Sequence, residues 1–217
     1  MKDIEVIGDN HFSINMQTPM IPSSEWLSRE EKMDKITYHF AEIMKALGLD
    51  LADDSLQGTP KRVAKMYVKE IFRGLDPSNE PSLSVFENKY EYNKMLLEKD
   101  ITFESACEHH FLPMRGKAHV AYISSGKVIG ISKINRLVDY YARRPQVQER
   151  LTLQICNALR DALATEDVIV FVEAEHLCVT SRGVDDKTSR TTTIAYGGKF
   201  EEMSYRQEFM QYLNPIK

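Results

Sequence analysis

Cysteine is scarce in this sequence, with three in 217 residues. So odd and sparse a set excludes the small disulfide-stapled folds and fits a reducing compartment. Long hydrophobic runs are missing too, and no segment reads as a membrane span. Basic excess is absent: 28 Lys and Arg stand against 32 Asp and Glu, a formal net charge of −4. That argues against a broad nucleic-acid surface and leaves room only for local basic pockets. The opening residues, MKDIEVIGDNHF, have neither the apolar stretch of a signal peptide nor the Arg-rich, acid-poor character of a transit peptide, so a cytoplasmic protein is expected. What is present is an ordinary globular composition, 42% hydrophobic and 28% charged. The chain is long enough to bury a core as one domain with a helical appendage.

Residues up to about Ser24 carry two prolines and no periodicity, and read as an arm. Ser28 and Glu31 make a capping box, followed by an apolar stripe of Ile36, Phe40, Ile43, Met44 and Leu47 and a stop at Gly48. A second helix is expected from Thr59-Pro60 to Gly74, with Val63, Met66, Tyr67 and Ile71 on its buried face. Its Arg62, Lys65 and Lys69 share another face, which on pattern alone is a solvated surface. Residues 76–93 read as a loop crossing and 94–98 as a short helical turn. Period-two alternation then marks strands near 100–107, 117–123, 127–131, 168–178 and 190–196. Helices fill the space between them from Ser132 and beyond Pro145, and a last one spans 204–213. Lys133 and Arg136 lie on the first turn of the helix that opens at Ser132, where backbone N–H groups already favour an anion, so they are phosphate candidates.

The chemistry concentrates in CEHH, residues 107–110. A thiol and two imidazoles together suggest zinc, yet Cys-x-x-His supplies only two ligands where protein-bound zinc takes three or four. Val168, Val170, Val172, Ala174, His176 and Cys178 alternate, so an extended strand would put His176 and Cys178 on one face and supply the missing thiolate. Cys107, His110 and Cys178 would make an open three-ligand site, in which zinc lowers the pKa of a bound water to about 7. His109 and His176 would then be left for acid–base work. Spacing does not decide which histidine ligates, and a closed four-ligand site including His176 stays open; a Cys107–Cys178 disulfide is disfavoured by the compartment. Cys156 reads as a packed core thiol, and His11, His39 and His119 as ordinary isolated histidines. The zinc deaminase pattern, with Glu two residues after the histidine and a following Pro-Cys-x-x-Cys, is not present.

Four stretches carry a resemblance: ESACEHHFLP, VIGISKINRLVDYYARRPQVQERLTLQI, EAEHLCVTSRG and TSRTTTIAYGG. In order and spacing they resemble the signatures of the GTP cyclohydrolase I family over about residues 50–198. The resemblance implies a zinc enzyme that opens the guanine imidazole ring of GTP at C8, releases formate and forms 7,8-dihydroneopterin 3'-triphosphate, with zinc-bound water as nucleophile. It implies Cys107, His110 and Cys178 as zinc ligands and His109 and His176 as acid–base groups. Glu149, with Gln148 beside it, matches the guanine site. Ser132 stands near the ribose, and Lys133, Arg136 and Arg182 match triphosphate ligands, joined by Lys65 and Arg62 from a neighbouring subunit.

The fold so implied is α+β, the tunnelling fold, an antiparallel four-stranded sheet backed by long helices and preceded by an N-terminal helical region. Residues 1–95 would be the arm and helical region and 96–217 the catalytic domain. The resemblance also implies a homodecamer of two stacked pentamers with active sites at subunit interfaces, and no nucleic-acid or membrane partner. Two other readings belong to different classes: a non-catalytic zinc-stabilised ring that binds pterins or purine nucleotides, and a related enzyme acting on another purine or pterin.

Overall fold

Ser28 opens the first long helix, α1 (Arg29–Ala46), in the way its spacing to Glu31 predicts. The Glu31 amide donates to Ser28 Oγ at 3.2 Å, and the Ser28 amide donates to the Glu31 carboxylate at 2.8 Å. This computed structural model describes residues 16–214; the first fifteen residues of the expected arm, with His11, lie outside the described residues. Gly48 ends α1 at a φ of +81°. The expected buried stripe is buried only at Met44. Ile36, Phe40 and Ile43 instead line an open apolar groove of about 790 Å³ together with Trp26, Tyr67 and Phe72, and Leu47 is exposed. The helix beside it, α2 (Thr59–Met66), has 8 residues and cannot cover an 18-residue partner.

Gly58, not Thr59, is the N-cap of α2, and Pro60 sits in its first turn. Past Met66 the chain widens into a π turn, Tyr67–Ile71, with the Phe72 amide donating to the Tyr67 carbonyl at 2.9 Å. This closure brings the rings of Tyr67 and Phe72 to 5.3 Å, and Phe72 lies 5.2 Å from Phe111.

The sheet that carries the site has five strands, not four. Strand β1 (Val85–Glu87), in the segment expected to be a loop, pairs antiparallel with β4 (Lys127–Ile129) in a small separate sheet. The main sheet takes in β2 (Met95–Cys107), β3 (Pro113–Ile123), β5 (Pro145–Gln146), β6 (Val168–His176) and β7 (Thr191–Tyr196), in the order β5-β2-β3-β6-β7. The pairs β2–β3, β3–β6 and β6–β7 are antiparallel, and the two-residue β5 adds to β2 in parallel. The helical turn expected at 94–98 is the start of β2, where Leu96 faces Tyr122 and Glu98 faces Val120. Cross-strand pairing there overrides the helix-forming character of Leu, Glu and Lys. A register shift follows between Glu98 and Ile101, with Asp100 at a φ of +61°.

Alternation decides the two faces of the sheet. Val168, Val170, Val172 and Ala174 of β6 are fully buried in a core shared with Ile134 and Leu137 of α3 (Ile131–Ala142) and with Leu151, Ile155 and Leu159 of α4 (Gln148–Leu163). On the other side Ile169 packs with Phe200 and with Phe209 of the terminal helix α5 (Met203–Leu213). Strands β2 and β3 carry exposed ion pairs, Arg115 to Glu104 at 3.0 Å and Lys117 to Asp100 at 2.8 Å. No helix among the described residues is long and apolar enough to cross a membrane.

Gly116 is paired with Phe103 on β2 and Ala174 on β6, and a Cβ at this position would strike the Glu173 carbonyl oxygen. Gly116→Ala is therefore expected to destabilise the fold by about 1–3 kcal/mol. Chemical denaturation reads this as a lower midpoint at constant slope, and an unchanged midpoint would contradict the close approach.

Candidate metal centre and its surroundings

Cys107 is the last residue of β2, and the chain reverses tightly beyond it. The Phe111 amide donates to the Cys107 carbonyl at 2.8 Å, and the Cys107 amide donates to the Leu112 carbonyl at 2.8 Å. Phe111 takes a left-handed φ of +54°, a conformation that costs a non-glycine residue about 1 kcal/mol or more. The turn thus holds His109 and His110 out from the strand end, and both are exposed.

Cys107, His110 and Cys178 converge, with one ligand atom from each lying within 4.8 Å of the others. Cys178 reaches the cluster by a different route from the one alternation suggests. Strand β6 ends at His176, and Leu177–Thr180 is a single helical turn, so Cys178 does not lie on the extended strand. Imidazole Nδ1 atoms of His109 and His110 lie 3.8 and 4.0 Å from Cys107 Sγ. His109 is marginally nearer, but His110 is the one that also meets Cys178.

Two thiols and an imidazole are a soft donor set that suits a metal ion such as zinc. Without a cation, burial and then the adjacent Cys107 push the Cys178 thiol up to about 11. A bound dication reverses that balance, since it deprotonates a coordinating thiol. The donors present therefore fit the group.

The first turn of α4 supports this cluster from both sides. Strand β5 aligns Pro145 with Ala106 and Gln146 with Cys107, and the Glu108 amide donates to the Gln146 carbonyl at 3.0 Å. Arg150, 3% exposed, forks onto the Glu108 carboxylate through Nη1 at 2.5 Å and Nη2 at 3.3 Å. His109 Nε2 lies 3.9 Å from the same carboxylate.

Gln148, expected at the guanine site, is engaged by partners within the chain. It is buried, and its Nε2 faces the Val172 carbonyl at 3.1 Å, the Thr191 carbonyl at 3.0 Å and Thr193 Oγ1 at 3.1 Å. Its Oε1 is thereby turned to His176 Nε2, 2.7 Å away, and the imidazole donates there. Burial lowers the pKa of His176, with the Glu149 carboxylate acting in the opposite direction. Glu149 itself is exposed at the helix N-terminus, where a negative charge is favoured.

The remaining expected residues surround this centre less closely. Ser132 and Arg136 are exposed on α3, and Lys133 is half-buried in its first turn. Arg182 is exposed beyond the Cys178 turn, near enough to lower that thiol's pKa slightly against the stronger upward effects. Arg62 and Lys65 are exposed on α2, and no hydrogen bond or ion pair among the described residues ties them to the cluster. The cluster also lies outside the 790 Å³ groove.

Sequence reasoning missed Arg150 altogether and gave Glu108 no role. The only signal was a pair of opposite charges 42 positions apart, which no local pattern singles out. Cys156 takes no part in the cluster: it is fully buried in α4, as a core thiol would be.

Together, the mixed α+β scaffold and the thiol–imidazole cluster define a protein whose sheet end carries donors that could hold a metal ion. Comparison of the sequence narrows this. The chain belongs to the GTP cyclohydrolase I family, whose sequence model matches residues 36–214. It is 54% identical to GTP cyclohydrolase 1 of Flavobacterium johnsoniae, over 97% of this chain and 94% of the relative. It is 55% identical to GTP cyclohydrolase 1 of Vibrio parahaemolyticus, over 91% of each. A solved structure of the archaeosine synthase QueF-Like in its apo form covers 48% of this chain and 93% of its own, with 21% identity and a TM-score of 0.41, a likeness too slight to bear on activity.

Burial pushes the Cys156 thiol up to about 11, so at pH 8 almost none of it is thiolate. Iodoacetamide is expected to label Cys156 only after unfolding. Mass spectrometry of native and denatured protein checks this, and rapid labelling of the native chain would count against a sealed core position.

Proposed function

We propose that this chain hydrolyses GTP at C8 of the guanine imidazole ring, releasing formate and yielding 7,8-dihydroneopterin 3'-triphosphate, the first step of pterin and tetrahydrofolate synthesis. The observation that carries the proposal is the convergence of Cys107, His110 and Cys178 beside the helical turn that bears Glu149. Family membership supports it.

In this mechanism Cys107, His110 and Cys178 hold zinc. The chemistry zinc supplies when bound is a water whose pKa falls to about 7. C8 of guanine is a weak electrophile, and protonation at N7 strengthens it. His109 and His176 are the groups assigned to that proton and to those exchanged later. With Nε2 of His176 engaged by Gln148, its Nδ1 is the atom left for that exchange. The Glu149 carboxylate accepts hydrogen bonds from N1–H and the 2-amino group, a pattern adenine lacks. Ser132 lies at the ribose, and Lys133, Arg136 and Arg182 neutralise the triphosphate. Gln148, placed by the resemblance at the guanine, is assigned instead to orienting His176.

Arg62 and Lys65 are assigned to the site of a neighbouring subunit. That role fits their exposure and their lack of a bond to the cluster within this chain. The same reasoning favours a tunnelling-fold ring. Among the described residues, β7 and all of β2 outside its short pairing with β5 keep one edge unpaired, and joining sheets edge to edge removes such edges. The proposed assembly is a decamer of two stacked pentamers in the cytoplasm, with residues 1–95 as arm and helical region and 96–217 as the catalytic part.

Incubating zinc-loaded protein with GTP should release formate and produce pterin fluorescence; an intact metal site without formate would sink the proposal. His176→Ala is expected to retain zinc while turnover falls by about 10²–10⁴, and loss of zinc would reassign this residue as a ligand. Glu149→Ala should erase discrimination between GTP and ATP, measured as the ratio of kcat/KM values.

A further inference from the structure

Between the ligand Cys107 and His109 stands Glu108, which is neither a soft donor nor directed at open solvent. Its carboxylate is taken up by both terminal nitrogens of Arg150, at 2.5 and 3.3 Å. The guanidinium side chain is 3% exposed, so the pair is held out of water at its cationic end. A two-point contact between planar groups fixes orientation as well as distance. The turn carrying Cys107 and His110 is therefore locked in angle to the first turn of α4.

That same helical turn holds the other half of the cluster. Gln148, two residues before Arg150, anchors His176, and His176 lies two residues before Cys178. Between the two anchors stands Glu149, exposed. One turn of helix thus touches both segments that supply ligands and also carries the carboxylate assigned to the base.

We propose that Arg150 is a positioning residue that acts through Glu108, setting the geometry in which Cys107 and His110 meet Cys178 and tying that geometry to Glu149. The inference rests on the reading of this cluster as a metal site. Supporting groups of this kind orient ligands they do not replace, and their loss typically weakens metal binding 10–100-fold.

The test uses the full-length assembled protein, with zinc affinity measured by chelator competition and ligand geometry by the visible spectrum of the cobalt(II)-substituted form. Arg150→Gln and Glu108→Gln are each expected to lower zinc affinity about 10–100-fold and to alter the cobalt bands. Arg150→Lys should fail to restore them, because an ammonium cannot fork onto a carboxylate. The double variant should lose little more metal affinity than either single one, since each single change already breaks the fork. Leu159→Ala, a fully buried position on the same helix, serves as the control for general destabilisation and should leave metal affinity in place.

If Arg150→Gln does not fold, Glu108→Gln, which keeps shape and one acceptor, carries the test. Unchanged affinity and spectrum in both variants would overturn the inference while leaving the metal site standing. So would a loss in Leu159→Ala equal to that in Arg150→Gln. Absence of zinc binding by the unsubstituted protein would bring down the underlying reading, and the inference with it.

Discussion

Residues 145 and 146 lie parallel to residues 106 and 107 in a pairing only two residues long. Parallel neighbours need a crossover, and this one runs through β3, β4 and α3 before the chain returns. Closing so long a loop is not much harder than closing a short one, because the entropic term rises only logarithmically with length. The result is adjacency. Val147 alone separates β5 from α4, so the start of that helix is delivered to the turn at the end of β2. The fork of Arg150 on Glu108, the anchoring of His176 and the placement of Glu149 all depend on this short pairing.

Around the centre, burial separates support from chemistry. Gln148, Arg150 and Thr152 are buried and bonded: the Thr152 hydroxyl donates to the Gln148 carbonyl at 2.8 Å and lies 2.6 Å from Thr193 Oγ1. Glu149, His109 and His110 are exposed. Polar groups that are fully paired in the interior stiffen their surroundings, whereas one left unpaired there is costly. The hydrogen bonds of Gln148, Arg150 and Thr152 let the outward groups stay in place before any substrate arrives.

Legibility in the sequence followed the range of the interactions. Ser28 and Glu31 announced α1 because a capping box is complete within four residues. The even positions of β6 announced the buried face because alternation is local too. Residues 95–98 misled because their helix-forming composition is overruled by partners on β3, about 25 positions away. Cys178 joins the cluster by a route that alternation did not give, since the strand ends at His176 and a helical turn brings the thiol round. Ile43 and Leu47 kept helical spacing but stayed exposed, because periodicity states which face is apolar and not what covers it. Arg150 left no local trace, being one charged residue among many until the fold sets it against Glu108.

The π turn at Tyr67–Ile71 can be put as a matter of counting. An α-helix lays residue i+4 over residue i, whereas here residue 72 comes over residue 67, a slip of one place in the count. The row from Tyr67 through Phe72 to Phe111, the residue after His110, exists only in the slipped phase. An unbroken α-helix through the same residues would leave each of those aromatic side chains in the sequence, yet would place the second about 140° round the axis from the first. At this place the phase of the winding carries structural information that the identity of the residues does not.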